Sequence, residues 1–557
     1  MFAYLARSGA YQKGTISSFR NSNTPLILLQ PVSVITHPQQ LCLPRRTQRQ
    51  RDAMRITVHR LVLSGLICAS LLLVYLSLYH DISSHTSAHG SLSLIPPVEG
   101  LNAVVNATYL NAARRFWRPW ARIIYEAKPT VPAIEIQGPG AGDIGLPEDG
   151  SDFRGEFVSI ITLPDEDVWS LRAAHAKMRA ALDAYNISAV AQDMKRLFEG
   201  RGIVTVAGGE YFGPAIVSIR MLRRAGSTLP VEAFLPDWEE YEPTLCEKVL
   251  PDLNARCVIL TQLLDPPNQD EEVEEEDKEV HFSITHYQLK SLAILFSRFR
   301  EVLLLDSDCI PVINPEQLFS AEPFTSTGFV GWPDFWIGTE APVFYRIAGL
   351  ERIPKDLPAA SSEAGQLLVD KTRHIKTLLL AAYYNIWGPS WYYALLSQGA
   401  IGQGDKNTFE TAAVVLNLPY YRVKTPVKSL GRKTGSVFKG SGMVQFHPTK
   451  DSAKYVGSTD HDGNKTVQPA FMHANTPKMN PGHLVDEGDL QDEVTKKHLR
   501  LWGTKQDQDW LFGMDFEKST FQVVVDVGCQ FANVVREWKH RWRVCSRLKQ
   551  HFKETFE

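Results

Sequence analysis

Residues 302–305 are uninterrupted apolar positions that run straight into Asp306 and Asp308 in the stretch REVLLLDSDCIPVINPEQLF. Such a run reads as a strand covered on both faces, as in a parallel sheet, although periodicity alone would equally allow a helix segment. Pro311 and the Asn314-Pro315 pair downstream favour strand followed by turn. The pattern recurs upstream: GIVTVA (202–207), VEAFL (231–235) and CVIL (257–260) are strand-like, while PAIVSIRMLRRAG and residues 284–298 carry helical spacing. Val168, Leu171, Ala174 and Met178 form a further helical stripe within residues 161–200. This alternation predicts an α/β, Rossmann-like, doubly wound parallel sheet whose ligand lies outside the carboxyl ends of its strands.

One apolar segment has no such alternation. LVLSGLICASLLLVYLSLY, residues 61–79, has no charge over about 19 residues, enough to cross a bilayer. Arg45, Arg46, Arg49, Arg51, Arg55 and Arg60 precede it and Asp81 follows, so the positive-inside rule predicts a single-pass type II protein with everything after Tyr79 across the membrane. A cleaved signal peptide is the alternative, and it gains ground if Met54 is the initiator and residues 1–53 are a gene-model extension. The expected organisation is a cytoplasmic tail (1–60), an anchor (61–79) and a Ser-, Gly- and Pro-rich stem with little core (80–160). A helical lead-in (161–200), a catalytic region (201–500) and a helical C-terminal extension (501–557) follow.

Asn106, Asn186 and Asn464 lie in glycosylation triplets beyond the anchor, and the net charge of −3 gives no signal for nucleic acid. In an oxidising lumen Cys246–Cys257 and Cys529–Cys545 are candidate bridges, with buried free thiols as the alternative. The acidic stretch DPPNQDEEVEEEDKEV reads as a solvated insertion.

Asp306 and Asp308, one residue apart at a strand end, would share a face by strand alternation, and their like charges repel unless a cation lies between them. Hard oxygen ligands in this arrangement suit Mg²⁺ or Mn²⁺, which also accept phosphate oxygens. At the first strand end, Gly208 and Gly209 would let backbone approach a ligand, and Tyr211 would stack on a nucleotide base. His473 is a candidate third metal ligand, with His447 as rival, and a histidine ligand favours manganese. Trp332, Trp336, Trp387 and Trp391 are candidates for stacking on sugar or for the core.

The blocks GGEYFGPAIVSIRMLRR, VLLLDSDCIPVINPEQLFSAEPFTSTGFVGWPDFW, EAGQLLVDKTRH, GQGDKNTF and PAFMHANTPKMNP occur in that order across roughly 195–485. In these blocks the chain resembles the fungal Golgi mannosyltransferases that branch cell-wall and N-glycan mannan, with the α-1,2 type nearest and the α-1,3 type next. The resemblance implies a metal-dependent nucleotide-sugar glycosyltransferase fold, GDP-mannose as donor, Mn²⁺ (or Mg²⁺) on Asp306 and Asp308, and transfer with retention to a mannan or N-glycan acceptor. It also implies residence in the Golgi membrane and membership of a Golgi mannosyltransferase complex. A more distant resemblance to glycogenin-type transferases points to Lys290 as facing the donor phosphates or sugar and to Lys478 as reaching the diphosphate, Lys290 otherwise being a surface lysine. Asp405, in the Gly-Asp-Lys block, and Asp370 are the candidates for a carboxylate that orients acceptor or shields the sugar, and a helix N-cap is the other reading of Asp405. A UDP-sugar transferase on the same fold and a non-catalytic Golgi scaffold are the competing functions.

Overall fold

The computed structural model describes residues 107–138, 140–142, 157–186, 197–264, 280–434, 437–455 and 467–557. The apolar run 61–79 with its basic flank, Asn106, Asn464 and most of the acidic stretch lie outside these residues. Among the described residues, no helix is long and apolar enough to cross a membrane.

The four strands expected up to the aspartates all form. They are β1 (Arg201–Val206), β2 (Val231–Leu235), β3 (Ala255–Ile259) and β4 (Glu301–Leu305). After the aspartate turn come β5 (Cys309–Pro311), β6 (Phe329–Ile337), β7 (Ala360–Asp370), β8 (Tyr421–Arg422), β9 (Lys428–Thr434), β10 (Val437–Phe446) and β11 (Pro469–His473). The main sheet has the order β3-β2-β1-β4-β7-β6-β8, and a second sheet has the order β5-β11-β10-β9.

The main sheet is mixed, which corrects the expectation of a parallel one. β1 to β4 pair in parallel, but β7 runs antiparallel to both β4 and β6. The β-α alternation that argued for parallel pairing stops at Asp306 in the chain itself. Beyond it, β5 leaves for the second sheet and pairs with β11, so the segments on either side of the aspartates belong to different sheets.

Strand side chains alternate between two cores, one on each face. Leu303 and Leu305 of β4 join Ile203, Ala233 and Ile259 on one face, where helix Phe212–Arg224 packs. Val302 and Leu304 join Val204, Phe234 and Val258 on the other, against helices Gln288–Phe296 and Lys371–Ile386. A strand buried on both sides cannot show a polar face, which is why 302–305 read as a continuous apolar run.

Two ends of the chain complete these cores. The segment read as a stem with little core contains helix Ala107–Glu126, whose Ala113, Trp117, Trp120, Ala121 and Ile124 are buried. Its carbonyls and those just after it receive three aromatic donors: Trp387 Nε1 on Ile124, Tyr383 Oη on Ala127 and Trp391 Nε1 on Val131 and Pro132. Ser-, Gly- and Pro-rich flanks hid this 3.6-period aromatic stripe from a composition-based reading. The C-terminal segment carries helices Phe516–Phe531 and Val544–Phe556, and Phe521 and Leu548 share a core with Phe212 and Ile216. Both candidate bridges are formed, Cys246–Cys257 and Cys529–Cys545, with Cys309 left as a buried free thiol.

Candidate active site

β4 ends at Leu305, and the chain turns there: the Cys309 amide donates to the Asp306 carbonyl at 2.9 Å. Asp306 and Asp308 therefore converge through a turn, not through strand alternation as the sequence argument supposed. The Asp306 amide donates to Gly365 O of β7 at 2.8 Å, which ties the turn to the antiparallel neighbour.

Three potential ligand atoms, one each from Asp306, Asp308 and His473, lie within 4.8 Å of one another. His473 ends β11, whose pairing with β5 sets it opposite Cys309. Its Nε2 is 3.2 Å from Asp308 Oδ1, and its Nδ1 is 3.3 Å from Glu363 Oε1. The second approach is an ion-pair contact, because Nδ1 makes no hydrogen bond. Glu363 is itself fixed, accepting from the Gly365 amide at 2.8 Å and from Gln366 Nε2 at 2.7 Å. Gly365 is obligatory for this packing: a Cβ there would fall 2.6 Å from His473 Nδ1.

Two lysines flank the cluster. Lys290, one turn into helix Gln288–Phe296, donates to Asp306 Oδ2 at 3.0 Å and to Ala364 O at 3.2 Å, and lies 3.2 Å from Asp405 Oδ2. It is thus no surface lysine. Lys478 donates to Asp308 Oδ2, and its ammonium is 5.7 Å from the centre of the Tyr211 ring. Tyr211 follows Gly208 and Gly209, which adopt φ of 112° and 46°, a region that favours glycine. Tyr211 as a residue remains 39% exposed.

The charges settle each other. Burial pushes Asp306 up, Lys290 opposes this and Asp308 reinforces it, so the carboxyl rises above its ordinary value. Burial also works against Asp308, but Lys478 and His473 outweigh it and hold that carboxylate well below the usual range. Burial would lower His473, yet Asp308 and Glu363 prevail and raise the imidazole well above its ordinary value, so a cation taken by the ring would displace a proton. Burial pushes Asp405 up to about 6, with Lys290 opposing.

Not every predicted site residue is here. Asp370 caps helix Lys371–Ile386 by accepting from the Thr372 amide at 2.9 Å, and it pairs with Glu301 at the opposite end of β4. Five residues of strand separate it from Asp306, roughly 16 Å at about 3.3 Å per residue. Asp405 is in the site, but it does not cap the helix that follows: Asn407 stands at that cap, and the buried Asp405 carboxylate faces Lys290. His447 lies beyond β10, accepts from the Thr449 amide and is absent from the cluster. Trp332 donates to Phe446 O in the core, and Trp387 and Trp391 hold the N-terminal segment, which leaves Trp336 half-buried at the site end of β6. Sequence reasoning missed Glu363. Its signal was a lone carboxylate among small residues, two positions before the glycine of EAGQ.

A family model described as "Mannosyltransferase putative" matches residues 200–357 and 350–450. Alpha-1,2-mannosyltransferase MNN21 of Candida albicans is 35% identical over 460 residues, covering 71% of this chain and 67% of that protein. The chain belongs to this mannosyltransferase family. Alpha-1,2-mannosyltransferase MNN5 of Saccharomyces cerevisiae is 30% identical over 494 residues, covering 78% of this chain and 79% of that one. MNN2 of the same organism, also an alpha-1,2-mannosyltransferase, is 35% identical over 343 residues, 56% of this chain and 55% of that one. As a mannosyltransferase the chain is an enzyme, and the resemblance read from its five sequence blocks is borne out. The family match contains Tyr211, Lys290, Asp306, Asp308, Glu363 and Asp405, while His473 and Lys478 lie downstream of it.

Proposed function

We propose that the enzyme transfers mannose from GDP-mannose to α-mannoside acceptors on mannan or N-glycan outer chains, in α-1,2 linkage and with retention. The observation that carries this reading is the convergence of Asp306, Asp308 and His473 between Lys290 and Lys478. Three points fit the cluster to a divalent cation. Its donors are two carboxylates and an imidazole, its atoms converge within 4.8 Å, and the far ring nitrogen of His473 faces a carboxylate, as metal-bound histidines do. When bound, the cation supplies Lewis-acid neutralisation of the donor diphosphate, and the imidazole favours Mn²⁺ over Mg²⁺.

The chain's own groups do the rest. Lys478, whose side chain is 40% exposed, reaches the diphosphate from the Asp308 side. Tyr211 beside it takes the guanine ring. Lys290 meets charge developing on the sugar side as the diphosphate departs, a preorganised cation in a dry site. Asp405 positions Lys290, since its buried carboxylate engages that lysine. Support for a Golgi setting comes from the basic-then-apolar N-terminal pattern and from the two disulfides, which suit an oxidising lumen. The same pattern supports a type II anchor with the catalytic region lumenal and, by family resemblance, a place in a Golgi mannosyltransferase complex.

The test uses full-length chain in detergent, α-mannobiose, Mn²⁺ and a panel of GDP- and UDP-sugars. Transfer from GDP-mannose alone, abolished by EDTA and by Asp306→Ala or Asp308→Ala with Tm nearly unchanged, is the expected result. Transfer from a UDP-sugar, or transfer that persists in EDTA, would overturn the donor or the metal assignment respectively.

A further inference from the structure

One large aromatic beside the site has no role in the account above. Tyr287 immediately precedes helix Gln288–Phe296 and is 54% exposed. Three positions later the same helix face carries Lys290, because residues i and i+3 are neighbours on a helix. The Tyr287 ring rests on bare backbone: a Cβ at Gly404 would fall 3.0 to 3.3 Å from three of its ring carbons, Cδ2, Cγ and Cε2. Gly404 adjoins Asp405, the partner of Lys290. One side of the ring is therefore seated against the loop that positions the sugar-side lysine, and more than half of the residue is left to solvent.

The backbone beneath the ring is held firmly. Gln288 donates through Nε2 to Asn385 O at 3.0 Å and Ile386 O at 3.1 Å, and its Oε1 accepts from the Thr285 amide at 2.9 Å. His286 adopts φ of 46°, an uncommon conformation for a residue with a side chain, and sets the turn into the helix. A pinned, exposed aromatic has little ordering entropy left to lose, which is what a stacking platform for a sugar requires. Among the described residues, two exposed tyrosines near the cluster divide its flanks. Tyr211 goes with Lys478 and Asp308, the diphosphate flank, and Tyr287 goes with Lys290 and Asp405, the sugar flank.

We propose that Tyr287 is the acceptor platform, its exposed face stacking on the apolar face of a hexose ring in an α-mannoside. The proposal rests on the mannosyl-transfer reading above. Stacking needs the ring and not the hydroxyl, so the aromatic variant should retain function.

The experiment measures steady-state transfer from GDP-mannose to α-mannobiose by full-length wild type, Tyr287→Ala, Tyr287→Phe and Gly404→Ala, with Tm recorded for each. It is paired with calorimetric titration of α-mannobiose in the presence of GDP and Mn²⁺. Tyr287→Ala is expected to raise the KM for mannobiose about tenfold, the equivalent of one lost aromatic contact of about 1.4 kcal/mol. The KM for GDP-mannose and the rate of GDP-mannose hydrolysis without acceptor should stay within about twofold. Tyr287→Phe should match wild type, and Gly404→Ala, which displaces the ring without removing it, should weaken mannobiose in the same direction. An equal rise in both KM values, an unaltered mannobiose KM in the alanine variant, or a phenylalanine variant as weak as alanine would each overturn the platform. A wild type that binds mannobiose by calorimetry yet transfers no mannose would instead sink the proposed activity, while the Tyr287 dependence of that binding would still decide the platform.

Discussion

His473 presents one ring nitrogen to Asp308 at 3.2 Å and the other to Glu363 at 3.3 Å, so a buried carboxylate on β7 fixes the orientation of a histidine on β11. Partners behind a metal-binding histidine set its tautomer and basicity. His473→Ala should raise the Mn²⁺ concentration for half activity at least about tenfold, and Glu363→Gln should do so by about tenfold. His447→Ala, outside the cluster, should change it little. Gly365→Ala should reproduce the His473 defect, because its Cβ would occupy the space of that ring. A manganese titration in which His447→Ala shows the larger shift would move the ligand to His447.

Asp370 gives the opposite expectation. As the N-cap of helix Lys371–Ile386 it contributes stability and no chemistry. Asp370→Ala should lower stability by about 1 kcal/mol and leave kcat and both KM values in place. A large fall in kcat in folded protein would return this residue to the site.

Tyr211, 39% exposed as a residue, stands beside Lys478. Tyr211→Ala is expected to raise the KM for GDP-mannose far more than that for acceptor. Equal effects on the two would mean that the ring only packs.

These sites show what the chain disclosed in one dimension. Strand ends with Gly208-Gly209 and Asp306-x-Asp308 were legible because buried parallel strands leave continuous apolar runs and the chemistry follows directly. His473 came from the coordination chemistry that two carboxylates leave open, whereas Lys290 and Lys478 came from family resemblance, since nothing local marks a lysine on a helix as facing inward. Glu363 and Tyr287 were invisible for another reason. Their roles arise from contacts across β7 to β11 and across a helix to the loop at Gly404, pairings that no periodicity encodes. Asp370 misled because a capping aspartate and a catalytic one look alike until the strand direction is known.

Asp405 offers a pH-dependent readout of the site. Burial pushes its carboxyl up to about 6. Below that value it takes a proton and ceases to hold Lys290 electrostatically, so kcat/KM should fall as pH drops through about 6. Asp405→Asn should be slower at pH 7 and should lack that acidic step. A full acidic limb in the variant would assign the step to another group.

Glu517 makes a separate prediction for stability. It is fully buried beneath the amides of Leu501 and Trp502, and burial pushes its carboxyl from 4.5 up to about 7. The folded state therefore binds more protons than the unfolded state between those values, so this contribution is present below about pH 4.5 and is lost as pH rises through about 7. A shift of this size corresponds to roughly 3 kcal/mol. Thermal melts should show Tm declining across that window in wild type, with the decline reduced in Glu517→Gln. Parallel pH profiles for the two proteins would exclude Glu517 as the source.

Lys371 lends the site a different kind of property. Its buried amino group, which burial holds well below the ordinary lysine pKa, donates to Ile294 O, Leu295 O and Ser297 O at the carboxyl end of helix Gln288–Phe296, while Gln288 at the other end of that helix reaches back to Asn385 O and Ile386 O. Two neighbouring helices, packed through a shared apolar core, are thus also fastened to each other by polar bonds at both ends. Sliding or rolling either helix would strand the Lys371 amino group and several carbonyls in a dry interior. Lys290 rides on one of those helices, so its alignment is decided when the protein folds and not when substrate arrives.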